Sequence, residues 1–228
     1  MPDADALIVR SALERELSWR WDEVRRLRNL QSSDAAKREE VATALRRALL
    51  VLLYAHVEGF AKFAFEQYAD AVNKAKLPVG KARNPLAAAC LLERFKSYRA
   101  TSISDPHDPA GNRMRQVLKD AEFVAEVLDL QNNTIVLDLE KVTSSDSNLS
   151  SSVLRRNMTL LALDDTDIHK FTSALDGLLK LRNGIAHGEN VNLKSDPTFV
   201  KLEGRVRDLC DSLTRMIYQA VRDELYRR

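Results

Sequence analysis

Apolar positions along this chain recur chiefly at intervals of three and four, the period of a helix with one buried face. Between about residues 4 and 31, Leu13, Leu17, Trp21, Val24 and Leu27 form one such stripe, with Arg10, Arg15, Arg20, Arg25, Arg26 and Arg28 mostly off it. These arginines read as a solvated face, the alternative being a track for RNA phosphates. Ser32, Ser33 and Asp34 offer N-caps for a second helix running to about Lys76. One of its faces carries Leu45, Leu49, Leu52, His56, Phe60 and Phe63, another Leu50, Tyr54, Ala61, Ala64 and Phe65. Apolar nearly all round, it is the expected centre of the fold. Glu58 interrupts the second face, and an ionised carboxylate there needs a partner. His56 reads as a hydrogen-bonded core histidine.

Leu77-Pro-Val-Gly80 ends that helix, and Asn84-Pro85 opens a shorter one to about Ser97. Turn chemistry at Asp105-Pro106, Asp108-Pro109 and Gly111-Asn112 marks residues 98–112 as a loop before a helix of about 113–129. A second irregular stretch, 131–150, contains a briefly extended Thr134 to Leu139 and a run rich in Ser, Asp and Asn. Loops of this length are usually functional or mobile. Helices are expected over Leu149 to Leu161, from near residue 166 behind Asp164, Asp165 and Asp167, and from about Leu202 to the C-terminus. The prediction is an all-α fold, an elaborated bundle of four or five substantial helices in one domain spanning 1–228, with two long irregular loops.

Composition agrees with that class, since Gly and Pro number only 7 and 6. A formal net charge of +2, from 35 basic and 33 acidic side chains, creates no global field to attract nucleic acid. The cations are nevertheless mostly Arg, 23 of the 35, the side chain best shaped to grip phosphate. Cys90 and Cys210 each fall in an apolar helical pattern, as reduced core residues do. The start Met-Pro-Asp-Ala-Asp lacks a signal-peptide pattern, and the longest apolar run, Ala48 to Ala55, is short for a bilayer. The expectation is a soluble cytoplasmic protein without a membrane partner.

The candidate chemistry lies in Leu178 to Asn190, where an apolar helical stripe (Ile168, Phe171, Leu175, Leu178, Leu179) runs into Arg182-Asn183 and then His187 just before Gly188. Residues 182 and 187 are separated by about 140° and 7.5 Å on a straight helix, so they do not converge unaided. Asn183 and His187 share a face, and Gly184 and Gly188 permit bending or termination. No zinc-type spacing, phosphate-binding glycine loop or nucleophile elbow occurs, so no metal or cofactor is expected.

Arg182-Asn183-x-x-x-His187, with Ala186-His187-Gly188 and the upstream Tyr54-Ala-His-Val-Glu58-Gly-Phe-Ala-Lys62, resembles the HEPN (higher eukaryotes and prokaryotes nucleotide-binding) family, specifically its bacterial RiboL-PSP-type branch. That resemblance implies a metal-independent endoribonuclease that works as a homodimer, two Arg/His pairs meeting across a two-fold axis. It implies RNA as substrate, Arg182 and His187 as catalytic residues, Asn183 assisting and Glu58 orienting. A toxin or antiviral defence role under an antitoxin or other regulatory protein is also implied.

Blander readings stand beside this one. His187 caps its helix, and Arg182 is structural, paired with Glu58 across two helices; Glu58 alternatively pairs with Lys62. The chain as a whole is then a catalytically silent module that binds nucleotide, RNA or protein, or a purely structural dimeric bundle.

Overall fold

Helix α2 (Glu39–Lys74) buries Leu49, Leu50, Leu53, Tyr54, Val57, Phe60, Ala61, Ala64, Phe65, Tyr68, Ala69 and Val72, residues spread over most of its circumference. A helix apolar all round has to be enclosed, and α1 (Pro2–Gln31), α8 (Thr172–Ala186) and α9 (Asp196–Arg222) pack around it. Each large side chain removed from water there contributes about 1.5–3 kcal/mol. By length and composition α2 also passes for a membrane span, but its apolar window is 56% buried inside the bundle. The computed structural model describes residues 2–31, 39–100, 108–146, 148–191 and 196–228. Among these, apart from two isolated β-bridges, Pro78 with Thr134 and Ala82 with Arg227, all regular structure is helical. The fold is all-α. The Ser32-Ser33-Asp34 caps expected for α2 lie outside the described residues.

Helix α1 docks on α2 and α9 through Ala6, Val9, Leu13, Leu17 and Val24, and the next position on that stripe is Arg20. The expectation of a solvated Arg20 is therefore overturned: it is 9% exposed. Its guanidinium bonds Glu16 at 2.5 Å, lies 4.4 Å over the Trp19 ring and comes within 3.4 Å of His56 Nδ1. Gly59 makes the room, since a Cβ there would stand 3.2 Å from the guanidinium nitrogens. His56 is buried as expected, with Nε2 at ion-pair distance, 3.0 Å, from Glu23. Because Arg only donates, His56 Nδ1 accepts from it and the ring is neutral. On α9 the buried Glu203 is gripped by Arg28 and Arg207 at 2.9 and 3.0 Å.

Several boundaries differ from the sequence expectation. The helix expected from Asn84 to Ser97 is two, α3 (Asn84–Cys90) and α4 (Leu92–Ala100), because the Leu91 N–H bonds back to the Ala88 carbonyl and the chain turns there. Helix α5 (Pro109–Leu130) begins four residues early: Asp108-Pro109 is an N-cap and first-turn proline, the Asp108 carboxylate accepting the Gly111 N–H at 2.9 Å. Of the loop expected over 98–112 both described ends are thus helical, and residues 101–107 lie outside the described residues. After α5 the chain is extended at Ile135, whose N–H bonds the Leu77 carbonyl, and makes a single turn, α6 (Leu139–Val142). Helix α7 (Ser151–Leu160) follows. Helix α8 starts at Thr172 instead of near 166, since Asp164 caps a turn at Thr166 and a 3-10 turn, His169–Phe171, intervenes.

Candidate functional site

Helix α8 packs through Leu175 and Leu178 and ends in a Schellman motif. His187 is the C-cap, the Gly188 N–H bonds the Ile185 carbonyl at 3.1 Å, and the Glu189 N–H bonds the Gly184 carbonyl at 2.9 Å. Gly188 has φ +79°, a conformation other residues enter only with strain. The Glu189 side chain folds over Gly184, where a Cβ would meet its carboxylate at 2.8 Å. From α2, Arg47 donates to the Glu189 carbonyl at 2.9 Å, tying the end of the motif to the central helix.

Arg182 lies half-buried on the last turns of α8. Its guanidinium carbon sits 5.0 Å over the Tyr54 ring, where the π-face attracts a cation. Its Nη1 donates to Asn148 Oδ1 at 3.1 Å and to Asn183 Oδ1 at 2.9 Å. The Tyr54 hydroxyl accepts the Leu149 N–H at 2.7 Å, and the same N–H reaches Glu58 Oε1 at 3.1 Å. Tyr54 in turn donates to Glu58. Burial first, then the Glu58 charge, pushes the Tyr54 phenol up to about 12, against the opposing pull of the Leu149 N–H and of Arg182. Tyr54 is therefore a neutral donor at ordinary pH.

The direct Arg182–Glu58 ion pair is not what forms among the described residues, and neither is the Glu58–Lys62 pair. Tyr54 stands between, its ring taking the cation and its hydroxyl the carboxylate. Lys62 turns to Glu66 at 3.9 Å.

The stretch that delivers Asn148 and Leu149 is clipped on both sides. From α7, Arg156 and Asn157 donate to the Ser144 carbonyl at 2.7 and 3.0 Å, and Arg156 also binds Asp146. Ser151 donates its N–H and hydroxyl to Asp176 of α8 at 2.8 and 2.6 Å, so a carboxylate also meets the positive end of α7. Part of the irregular 131–150 stretch is thus a wall of the site. Asn148 and Tyr54 are the members that sequence reasoning did not assign. The available signals were a tyrosine four residues before the lone carboxylate of an apolar face, and an amide at the mouth of the next helix.

Arg182, Asn183 and, through Tyr54 and Leu149, Glu58 are thus brought together. His187 is not joined to them by its side chain: its backbone N–H bonds the Asn183 carbonyl at 2.9 Å, while the imidazole is exposed and contacts no partner among the described residues. One chain presents a fixed, half-open guanidinium and, about a turn and a half further on, a solvent-facing imidazole. Among the described residues no group of three His, Cys, Asp or Glu side chains is arranged to hold a metal ion.

The family model of MAE_28990-like HEPN domains matches residues 9–226. The chain belongs to the HEPN family. The match runs from Val9, within α1, to Tyr226, so every element holding Arg182 lies inside the HEPN domain. It gives the family and not the RiboL-PSP branch that the sequence resembles. No curated protein and no solved structure matches the chain. Membership supports a nuclease-like or RNA-binding module, HEPN domains often being ribonucleases.

Proposed function

We propose that this HEPN protein is a metal-independent endoribonuclease whose working site is shared by two copies of the chain. The observation that carries this reading is the setting of Arg182, a half-buried guanidinium held over Tyr54 by Asn148 and Asn183, with an exposed His187 five residues further along the chain. A buried structural arginine would be enclosed and matched by a carboxylate. Arg182 is instead fixed by a ring and two neutral amides, which leaves its charge uncancelled.

In the reaction, the ribose 2′-oxygen attacks the adjacent phosphorus and the 5′-oxygen leaves, giving a 2′,3′-cyclic phosphate and a 5′-hydroxyl. One imidazole accepts the 2′-hydroxyl proton while a second, from the other copy, gives a proton to the leaving oxygen, so the balance closes without a metal. Arg182 stabilises the charge on the phosphorane oxygens. Asn183 and Asn148 hold the guanidinium, and Glu58 acts through Tyr54 and Leu149 as a positioning residue. DNA, lacking the 2′-hydroxyl, does not react. Through family resemblance the reading extends to a cytoplasmic toxin or antiviral defence effector restrained by a partner protein.

A second reading, a silent RNA-binding module, is favoured by one observation: no side chain among the described residues orients the His187 ring. Incubation of the purified protein with labelled RNA in EDTA separates the two. Cleavage that survives chelation, spares DNA of the same sequence and falls about 100-fold or more in Arg182→Ala and in His187→Ala supports the nuclease. RNA binding without cleavage, unchanged in His187→Ala, overturns it in favour of the silent module.

A further inference from the structure

Helix α5 packs on α4 with one face and shows solvent the other. Phe123 stacks on Phe95 and Tyr98 with ring centroids at 5.4 and 4.6 Å, Glu126 pairs with Arg94 at 2.8 Å, and Lys119 and Asp120 bond Tyr98. The opposite face is apolar: Met114 is 62% exposed, Val117 61%, Leu118 61%, Val124 55% and Leu128 57%, with the exposed Ala121 and Ala125 between them. A continuous stripe of this kind, about 21 Å long, is what isolated surface side chains do not make and an interaction site does.

Its pattern selects the occupant. Met114, Leu118, Ala121, Ala125 and Leu128 follow a four-three-four-three spacing, the seam by which one helix lies along another. The charges flanking the stripe are segregated, with Arg113 and Arg115 at its start, Arg115 also pairing with Asp108 at 3.4 Å, and Glu122 and Asp129 towards its end. Laid antiparallel, the basic start of one α5 meets the acidic end of another and the small Ala121 falls near the crossing point; laid parallel, like charges face each other. We infer that the exposed face of α5 pairs antiparallel with the same face of a second copy of this chain.

The C-terminal end of this surface lies away from Glu58 and the Arg182 cluster. The residues that follow α5 are bonded to Val79 and Gly80, just beyond the C-terminal end of α2, whereas Glu58 lies 16 residues back from Lys74, about 24 Å along that helix. The inference rests on the α5 face alone and does not depend on the nuclease reading.

The test is the mass of the full chain in solution at micromolar concentration, by sedimentation equilibrium. Leu118→Glu/Val124→Glu is expected to halve the mass of the parent with unchanged helical content, both side chains being more than half exposed. Orientation is read by mild oxidation: a mixture of Met114→Cys and Leu128→Cys proteins is expected to give a mixed disulfide-linked dimer that neither gives alone, above the background of the parent with its Cys90 and Cys210. A monomeric parent, a mass unmoved by the double substitution, or cross-links that form in each variant alone with no additional mixed dimer in the mixture would overturn the pairing.

Discussion

Replacing Tyr54 by Phe removes one oxygen from the centre of the site and leaves the ring beneath Arg182 in place. The residue is 1% exposed, and its hydroxyl accepts the Leu149 N–H at 2.7 Å while donating to Glu58. The Leu149 N–H retains Glu58 at 3.1 Å, so the change orphans no backbone donor. What is lost is one neutral hydrogen bond and one to a carboxylate, together worth about 2 kcal/mol. For a chain of this size that lowers Tm by roughly 4–8 °C. The deficit also depends on pH. The Tyr54 phenol rises from 10.0 to about 12 on folding, so its stabilisation is whole below pH 10 and lost as pH climbs to about 12, where the unfolded chain has already released the proton. Calorimetry of both proteins is therefore expected to show the gap between them shrinking across that window, while Tyr68, also raised by burial, contributes equally to both. Equal Tm values at neutral pH, or a gap that stays constant from pH 10 to 12, would refute the reasoning.

Burial and then Arg20 hold the His56 imidazole below its ordinary 6.5, so stability is whole above that pH and falls with acidification below it; His56→Gln is expected to flatten that limb of the Tm–pH curve. Gly188→Ala forces a side chain into φ +79° and should cost about 1 kcal/mol, whereas Gly177→Ala, inside α8 with open space around it, should gain about 0.5–1 kcal/mol, both read by urea denaturation. Asn148→Ala removes one of two amides bonded to Arg182 and is expected to lower kcat about tenfold with little change in Tm; a kcat equal to the parent's would show that the 143–150 stretch does not position the guanidinium.

Much of the fold was legible because apolar spacing is a direct consequence of burial. The stripe Leu13, Leu17, Val24 and the all-round apolarity of Leu49 to Phe65 located α1 and the central helix without tertiary information. Boundaries failed where local chemistry had two uses. Asp108-Pro109 opens a helix or makes a turn with the same residues, and only the start of α5 decides which. Arg20 failed differently: an arginine on the buried stripe reads as exposed until Glu16, Trp19, His56 and the missing Cβ of Gly59 are seen around it. At the site, sequence singled out Arg182 and Glu58 as two complementary anomalies, but the direct pair expected of them does not form: Arg182 bonds Asn148 and Asn183, and Glu58 the Leu149 N–H. The residue that mediates is Tyr54, which pattern analysis counted as apolar because a ring serves a core as well as it serves a cation. For Asn148 the only signal was its place at the mouth of α7, which did not assign it, since its position depends on Arg156, Asn157 and Asp176 holding an irregular segment against two helices.

On the proposed function, one chain holds half a site and a second copy completes it. The most direct measurement is the position of both His187 rings in an experimentally determined structure of the assembled particle. The expected result is two imidazoles facing each other across a two-fold axis, with both Arg182 guanidinium groups lining a single groove wide enough for one RNA strand. Imidazoles on opposite sides of the particle, each beside an Arg182 with no counterpart in view, would contradict it.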